Sequence, residues 1–468
     1  MKSKNVIWTS FFIFIIGTSS CAHKTSQVWT QYNVPPPEIS WSKTILSQEP
    51  ELNPNGKLSL DRACGIALAY HPNLARSRGL LEAANARIGQ TLSAYFPQLQ
   101  ISSSYTRSTS NSTAASGKGG DSDLGWDDSK DSYGTGITAR QTIFDFNKTN
   151  SAYRQAEHNA RAVAHDLEAT AATVLLNVRE AFLTYLAQNA LLSVANETVS
   201  SFEKHLKEAE TLYEVGRTTK ADVAKANVDL SNAKLDLIKA RNLTDISRVN
   251  LNLALGLDED PGYQVVFEIP QQHLVISREE AMDQAKKSRP ELRATKERFE
   301  AAQQAIERAW AKYFPDLSFG LSFDWGGGKF PLVPNWRLGP SLDWDIFNGF
   351  RTSKEVKEAE ASLVSSRADL AIQEQNIYQS VQKAWFDLKE AEERMNTTIN
   401  TVSYAEESLR LITGRYQVGR ATILEQTDAE LALAKARADE IQARYDYELN
   451  IARLLRAMGL ATLATERK

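Results

Sequence analysis

Residues 313–325 read Tyr-Phe-Pro-Asp-Leu-Ser-Phe-Gly-Leu-Ser-Phe-Asp-Trp, and this stretch decides the fold. Pro315 ends the helical pattern that precedes it, because the residue before a proline disfavours the helical conformation. From Leu317 onward large apolar residues alternate with small or polar ones, which predicts a strand with one apolar face. A second alternating stretch follows at 335–346. The two stretches are predicted to form a hairpin, with its first strand at about 316–325.

The chain contains this arrangement twice. Residues 95–99 read Tyr-Phe-Pro-Gln-Leu, so Tyr95 and Tyr313 are related by an offset of 218 residues. Further along the chain the offset is 203, as between Tyr213 and Tyr416 in the shared pattern Tyr-x-Val-Gly-Arg. The whole difference between the offsets lies in the loop of the strand hairpin. Two structural repeats are therefore predicted, alike in their helices and different in one solvent-facing loop.

Long helices follow each strand hairpin. Residues 147–255 and 350–458 contain no proline and are rich in Ala, Leu, Glu, Lys and Arg, which are good helix formers. Gly216 and Gly419 lie at equivalent positions and are predicted to be the turns between two antiparallel helices. The predicted order is a signal peptide at 1–20, an extended segment at 21–57, a first repeat at 58–257 with strands at about 98–107 and 132–145, a connector at 258–273, a second repeat at 274–460 and a tail at 461–468.

The four strands have the properties of membrane-spanning strands. Each has about the 9–11 residues that a tilted strand needs to cross a bilayer. Trp325, Trp336 and Trp344 on the apolar faces also favour a membrane barrel, in which aromatic residues form belts. A half-buried sheet packed on soluble helices is the alternative, since it alternates too. The polar faces provide candidates for a barrel lumen, either as a charged lining or as simple solvation: Asp324, Arg337, Asp343 and Asp345.

Four strands cannot close a membrane barrel by themselves, because the smallest such barrels have eight. Open strand edges are excluded from lipid, where each unpaired backbone group costs several kcal/mol. The strands are therefore predicted to pair with those of other copies. Two copies would supply eight strands around a filled interior, and three would supply twelve, wide enough to hold water. The fold class is mainly α, with long helical hairpins and a small β part.

The N-terminus predicts export from the cytoplasm. Lys2 and Lys4 precede an apolar stretch at 6–17, and small residues lead to Cys21, which is the layout of a secretory signal peptide. An N-terminal anchor helix is the alternative. A signal that ends on Cys21 resembles a bacterial lipoprotein signal, in which this cysteine is acylated, although Thr18 departs from the usual leucine. Cleavage nearby without lipidation remains the other possibility.

Composition and motifs exclude several functional classes. The net charge of −4 favours no nucleic-acid partner. The chain has no phosphate loop, no Gly-x-Ser-x-Gly motif and no cluster of Cys and His at metal-binding spacing, so no enzyme activity, cofactor or metal site is predicted. His158 and His165 are seven residues apart and share a predicted helical face, a pattern that packing explains better than metal binding.

Two repeats with Tyr-Phe-Pro before a hairpin and Tyr-x-Val-Gly at a helical turn resemble the TolC-type outer-membrane efflux protein family, over about residues 58–460. The resemblance implies a homotrimer with a shared 12-stranded β-barrel and an α-barrel of helical hairpins. It implies the outer membrane of a Gram-negative-type bacterium, with a long periplasmic extension. It further implies a passive duct of a tripartite efflux or type I secretion system, which docks to a periplasmic membrane-fusion adaptor and an inner-membrane transporter. The lipoprotein-like start resembles the drug-efflux branch.

The resemblance also implies a gate at the helical turns, where acidic residues ring the pore. In this chain those residues are Glu425 and Asp428, which share a helical face. A solvated helix face is the alternative for both. The family links its counterpart of Tyr416 to an acidic residue of the first turn, here Asp222. Its arginine latch falls on an alanine, with Arg420 beside it, so that part of the gate departs from the family pattern.

A rival from another class is a periplasmic coiled-coil adaptor or scaffold without a pore. Its long hairpins would have the same composition, but it has no need for four alternating strands that carry aromatic residues. The exported cargo is not encoded in any of these features, since drugs, metals, metabolites and proteins all pass through similar ducts.

Overall fold

The computed structural model describes residues 56–109, 129–266 and 276–460. The predicted signal peptide, Cys21, most of the extended segment at 21–57 and the tail at 461–468 lie outside the described residues. Within them the predicted fold class is confirmed, because long helices dominate and a four-stranded sheet is the main β element.

The two repeats have the same order of helices and long strands. The first contains β1 (Lys57–Leu58), α1 (Leu60–Tyr70), α2 (Pro72–Leu92), β2 (Gln98–Thr109), β3 (Ser129–Phe144), α3 (Lys148–Glu214) and α4 (Lys220–Leu255). The strand β4 (Gln264–Val265) lies in the predicted connector at 258–273. The second repeat contains α5 (Arg278–Ser288), α6 (Pro290–Ala311), β5 (Asp316–Gly327), β6 (Val333–Asp343), α7 (Arg351–Gln417) and α8 (Ile423–Ala457). The short strands β1 and β4 pair in parallel.

The chain divides into two compact units. The sheet unit contains Leu81–Val163 and Thr295–Leu370, and therefore all four long strands. The helical unit contains Ala164–Ala294 and the described residues of 36–80 and 371–468. No helix among the described residues is long and apolar enough to cross a membrane.

In the sheet unit the strands lie in the order β2-β3-β5-β6, and every neighbouring pair is antiparallel. The β3–β5 pairing contains a bulge between Thr142 and Phe144. The fourth strand ends earlier than the alternation at 335–346 predicts, at Asp343. The indole of Trp344 donates a hydrogen bond to the Tyr313 carbonyl at 3.0 Å, and the main chain turns there instead of continuing the ladder.

The strand-to-helix transition is built alike in both repeats. Asn147 and Phe350 have φ angles of 73° and 66°. Such values are uncommon for residues other than glycine, so they mark a sharp change of direction. The Asp145 carboxylate accepts a hydrogen bond from the Thr149 amide at 2.8 Å, which satisfies a free donor in the first turn of α3.

In the helical unit, each long hairpin returns to the junction between its two short helices. Gly256, after α4, has φ 78°, and a Cβ there would lie 2.9 Å from the His71 Cα between α1 and α2. Gly459, after α8, has φ 79°, and a Cβ there would lie 2.7 Å from the Ser288 carbonyl carbon at the end of α5. Both positions require glycine for two reasons, the left-handed backbone and the close approach.

Small apolar clusters hold the helices together. Within the sheet unit, Ala84, Ile88 and Leu92 of α2 pack on Ala160 of α3. Within the helical unit, α3 and α4 share a cluster that joins the two arms of the first hairpin: Val199, Phe202, Leu230, Ala233 and Leu237.

Candidate channel wall and gate

The apolar face of the sheet is exposed. Leu99 and Ile101 of β2 are each 76% exposed, and Trp336 of β6 is 70% exposed. The pairing aligns apolar residues across all the strands, as in Ile101–Ile137 and Ile137–Phe323. A continuous exposed apolar surface is characteristic of contact with a membrane or another protein. The alternative of a half-buried sheet predicts that helices cover this face, and the exposure of these side chains among the described residues contradicts it.

The opposite face of the sheet is polar. Asp324 lies opposite Gly136 on one side and Asn335 on the other. Arg337 lies opposite Ser322, and both are on the polar face by the alternation of the strands. Three of the four candidate lumen residues, Asp324, Arg337 and Asp343, therefore lie on strands and share one face.

Asp343 has an ion-pair partner that the sequence analysis missed. The Arg140 guanidinium on β3 lies 3.1 Å from the Asp343 carboxylate. The alternation of residues 137–140 already places Arg140 on the polar face, so the signal was present, but its partner depends on the pairing of three strands. The fourth candidate, Asp345, lies beyond the end of β6, 3.4 Å from Arg351. It is therefore not part of the strand, because the main chain has turned at Trp344.

The two helical turns have one construction. Gly216 has φ 71° and Gly419 has φ 72°, and no atom would lie within 4 Å of a Cβ at either. The Arg217 amide donates to the Leu212 carbonyl at 2.8 Å, and the Arg420 amide donates to the Arg415 carbonyl at 2.8 Å. This bonding defines a Schellman motif, in which a left-handed glycine ends a helix.

Asp222 and Glu425 are helix-capping residues, a role that the sequence analysis also missed. Thr219 and Thr422 are the N-cap residues of α4 and α8, and each forms a capping box with the acidic residue three positions later. The pattern Thr-x-x-Asp or Thr-x-x-Glu before a helix is a known signature of this motif. Hydrogen bonds from the side chain and amide of Thr219, and from Thr218, lower the pKa of Asp222. The Thr422 amide lowers the pKa of Glu425 in the same way.

The remaining gate candidates lie around these turns. Burial raises the pKa of Tyr416, and the nearby charges of Glu208 and Asp222 raise it further. The charge of Asp222 in the first hairpin thus acts on Tyr416 in the second. Asp428 and Arg420 are exposed.

A partly buried polar cluster joins the two hairpins near the turns, and nothing in the sequence pattern indicated it. His205 of α3 hydrogen-bonds Glu430 of α8 through Nε2. The Ser201 hydroxyl donates to the same carboxylate oxygen at 2.8 Å. Gln426 Nε2 lies 3.2 Å from His205 Nδ1. Since only tertiary packing brings α3 and α8 together, the cluster could not be derived from residue spacing.

The two histidines that are seven apart have separate acidic neighbours. His158 Nδ1 lies 2.8 Å from Glu297 within the sheet unit, and His165 Nδ1 lies 3.6 Å from Glu168 within the helical unit. Among the residues that the structure describes, no group of three or more His, Cys, Asp and Glu side chains is placed to hold a metal ion.

Comparison with known proteins identifies a family. The model of the outer membrane efflux protein family matches residues 64–257 and 281–460. The outer membrane efflux protein BepC of Brucella suis is 23% identical over 336 residues, which cover 70% of this chain and 72% of that protein. The outer membrane protein TolC of Escherichia coli is 22% identical over 442 residues, which cover 87% of this chain and 85% of that protein.

The fold is that of a solved channel. A crystal structure of CusC, a protein that forms a transmembrane channel, superposes with a TM-score of 0.74 at 19% identity. The superposition covers 92% of this chain and 99% of CusC. It includes nearly all of both chains, so the repeats, the sheet and the long hairpins belong to one shared fold.

Proposed function

Because the chain belongs to the outer membrane efflux protein family and is an outer-membrane channel subunit, we propose that three copies form one passive export duct. In this proposal the twelve strands of the three copies close a barrel in the outer membrane. The helical hairpins extend into the periplasm and dock to a membrane-fusion adaptor and an inner-membrane transporter.

The exposed apolar face of the sheet is the observation that carries the proposal. Leu99, Ile101 and Trp336 would each lose most of their exposed area against lipid. The outer edges of β2 and β6 have no partner strand in the four-stranded sheet, which a lipid environment does not tolerate. A pore-less adaptor has no use for either feature, and family membership does not support that alternative.

The polar face supports three copies over two. Two copies would give eight strands, and a barrel of eight has an interior that side chains fill. The charged residues Arg140, Asp324 and Arg337 on the polar face need water rather than close packing. Three copies, with twelve strands, give these side chains an aqueous lumen.

We place the gate at the helical turns. Asp428 is exposed beside the capping residue Glu425, and three copies would bring together three of each. Tyr416, Asp222 and Arg420 lie at the same turns and would hold the two hairpins in the closed arrangement. Val215 and Val418, which are 64% and 67% exposed, give each turn an apolar tip that fits docking to another helical protein.

The N-terminal segment completes the proposal. Residues 1–20 act as a signal peptide, and Cys21 is acylated to anchor the extended segment at 21–57 in the membrane. Both features rest on the sequence, since neither lies within the described residues.

Membrane fractionation tests the proposal as a whole. Cells that express the full chain are separated into outer-membrane, inner-membrane and soluble fractions, and the oligomer is sized in detergent. Recovery in the outer membrane at the mass of three chains is expected. Recovery as a monomer, or with the inner membrane, would overturn the proposal.

A further inference from the structure

The four-stranded sheet has two open edges, and the strands that form them run in opposite directions. β2 and β6 are the outer strands of the order β2-β3-β5-β6, in which each neighbour is antiparallel to the next. A pair formed by β6 of one copy and β2 of another would therefore be antiparallel. Both edges have free backbone donors and acceptors, which another strand can satisfy.

We propose that β6 of one copy pairs with β2 of a second copy in the register that the chain already uses between β3 and β5, so that Ser341 lies opposite Ser104. The inference rests on the proposed function, because it takes copies of this chain to share one barrel. It adds the residue-by-residue register of the seam between them.

The internal repeat carries this register. Gln98 of β2 pairs with Arg140 of β3. The repeat equivalent of Gln98 is Asp316, at an offset of 218 residues, and that of Arg140 is Asp343, at an offset of 203 residues. Asp316 and Asp343 are paired in the β5–β6 hairpin. The two hairpins therefore have the same internal register. Within one copy, the pairing of β3 with β5 joins the first hairpin to the second hairpin. Between copies, the pairing of β6 with β2 would join the second hairpin of one copy to the first hairpin of the next copy.

The same offsets translate the known junction into the unknown one. Thr138 of β3 pairs with Ser322 of β5. Adding 203 to the first number and subtracting 218 from the second gives Ser341 and Ser104. Across the length of the seam, residues 336–343 of β6 then lie opposite residues 109–102 of the next copy.

This register keeps each face continuous. Leu342 and Trp336 of β6 then share a face with Tyr105 and Ile101 of β2, so the apolar band passes unbroken from one copy to the next. A slip of one residue would turn the apolar side chains of one strand to the polar side. A slip of two residues would preserve the faces, so it is the internal repeat that selects between the registers.

A glycine recurs at the equivalent position of the proposed pairing. At Gly136 of β3, a Cβ would clash with the Asp324 carboxylate of β5, so the Asp324 side chain occupies the space above the glycine. The repeat equivalent of Gly136 is Gly339 of β6, where a Cβ would meet nothing within 4 Å in its own chain. In the proposed register Gly339 lies opposite Thr106, the repeat equivalent of Asp324. Gly339 thus lies where the Thr106 side chain of a neighbouring copy would take the place that Asp324 has at Gly136.

Disulfide cross-linking tests the register. Directly opposite residues have Cβ atoms about 4.5–5.5 Å apart, whereas those displaced by two positions are about 7–8 Å apart. The full chain with Ser341→Cys and Ser104→Cys is therefore expected to shift from monomer to covalent dimer and trimer bands on oxidation. Two matched controls combine Ser341→Cys with Ser102→Cys or with Thr106→Cys, each of which lies two residues from Ser104.

Three further samples make the result decisive. Co-expression of the two single variants must give a covalent dimer, because the bond joins different copies. The unaltered chain reports any background from native cysteines, and Cys64 is expected to add none, since burial raises its pKa to about 11. Arg337→Cys with Ser108→Cys tests the same register at a second place, where the chemistry of the serine pair plays no part.

The possible outcomes separate the register from the function. Strongest cross-linking in a displaced control would overturn the register and leave the shared barrel intact. An oligomer in which none of the pairs cross-links would overturn the β6–β2 seam itself. If the unaltered chain is a monomer in the outer membrane, the proposed function fails first.

Discussion

His205 of α3 hydrogen-bonds Glu430 of α8, and this contact joins the hairpin of the first repeat to the hairpin of the second. The side chains are only 17% and 10% exposed. Glu208 lies 3.6 Å from the other ring nitrogen of His205, so two carboxylates face one imidazole. Any movement of one hairpin against the other near the turns has to break or rearrange this contact.

The contact is expected to depend on pH. Burial lowers the pKa of His205, but the hydrogen bond and charge of Glu430, with the charge of Glu208, raise it above the ordinary value of 6.5. A raised folded-state pKa means that the stabilisation is complete below the ordinary pKa and is lost as pH rises through the folded pKa. The opening frequency of reconstituted channels is therefore expected to rise as the pH increases above about 6.5, through the raised pKa of His205.

Two variants test whether the His205–Glu430 pair, and not another titrating group, causes the pH dependence of channel opening. His205→Phe removes the titrating ring, and Glu430→Gln keeps a hydrogen-bond acceptor without the charge. Both should open more often at low pH and lose most of the pH dependence. An unchanged pH profile in both variants would show that this pair does not hold the hairpins.

Neutralising the acidic residues at the second turn is expected to weaken block of the channel by multivalent cations. Glu425→Gln with Asp428→Asn removes both charges, while glutamine can still serve in a capping box. Glu425→Ala would also remove the helix cap, so a change in cation block could then come from the altered helix end instead of the lost charge. Glu407→Gln on the exposed part of α7 is the control. If conductance and cation block are the same in the double variant and the control, the acidic ring is not at these residues.

Alanine at Gly256 is expected to cost much more stability than alanine at Gly216. A left-handed conformation costs roughly 1–2 kcal/mol for a residue with a Cβ, and that applies at both positions. At Gly256 the Cβ also meets the backbone of His71 at 2.9 Å, whereas at Gly216 it meets nothing within 4 Å. Urea unfolding and the yield of assembled oligomer are the measurements.

Gly79→Ala provides the third point of comparison, since a Cβ there meets nothing and the backbone is helical. It should be neutral or stabilising by roughly 0.5–1 kcal/mol. Equal losses at Gly256 and Gly216 would contradict the role of close packing between the hairpin end and the short helices.

Acylation at Cys21 is expected to be absent from a Cys21→Ala variant. Labelled palmitate supplied to cells should appear in the unaltered chain and in Cys64→Ala, whose thiol is buried in α1. The reason is that a lipoprotein signal places the modified cysteine at the first position of the mature chain. Equal labelling of Cys21→Ala, or a mature N-terminus beyond residue 21, would sink the lipid anchor.

The repeats, the strands and the long helices could be read from the sequence because each has a period. The alternation at Leu317, Phe319 and Leu321 is a local pattern that does not depend on tertiary contacts. A long run without proline likewise predicts a helix. The end of β6 at Asp343 had no such signal, because it depends on the contact of Trp344 with the Tyr313 carbonyl. The alternation continues to residue 346 although the strand does not.

The residues near the gate were less predictable than the fold. Asp222 and Glu425 have a local signature as helix caps, because each lies three residues after a threonine that precedes a helix. The partners of Asp343 and His205 had none, since Arg140 and Glu430 reach them only through tertiary packing. Gate roles for Asp428 and Tyr416 remain proposals that rest on position.

Single-channel recording on the purified oligomer in a planar bilayer tests the central claim most directly. A passive duct should give discrete current steps that are linear in voltage and need no nucleotide or ion gradient. The seam variant Ser341→Cys with Ser104→Cys should conduct in the same way under reducing conditions. An oligomer that inserts into the bilayer and passes no current in any of these conditions would contradict the assignment as a channel.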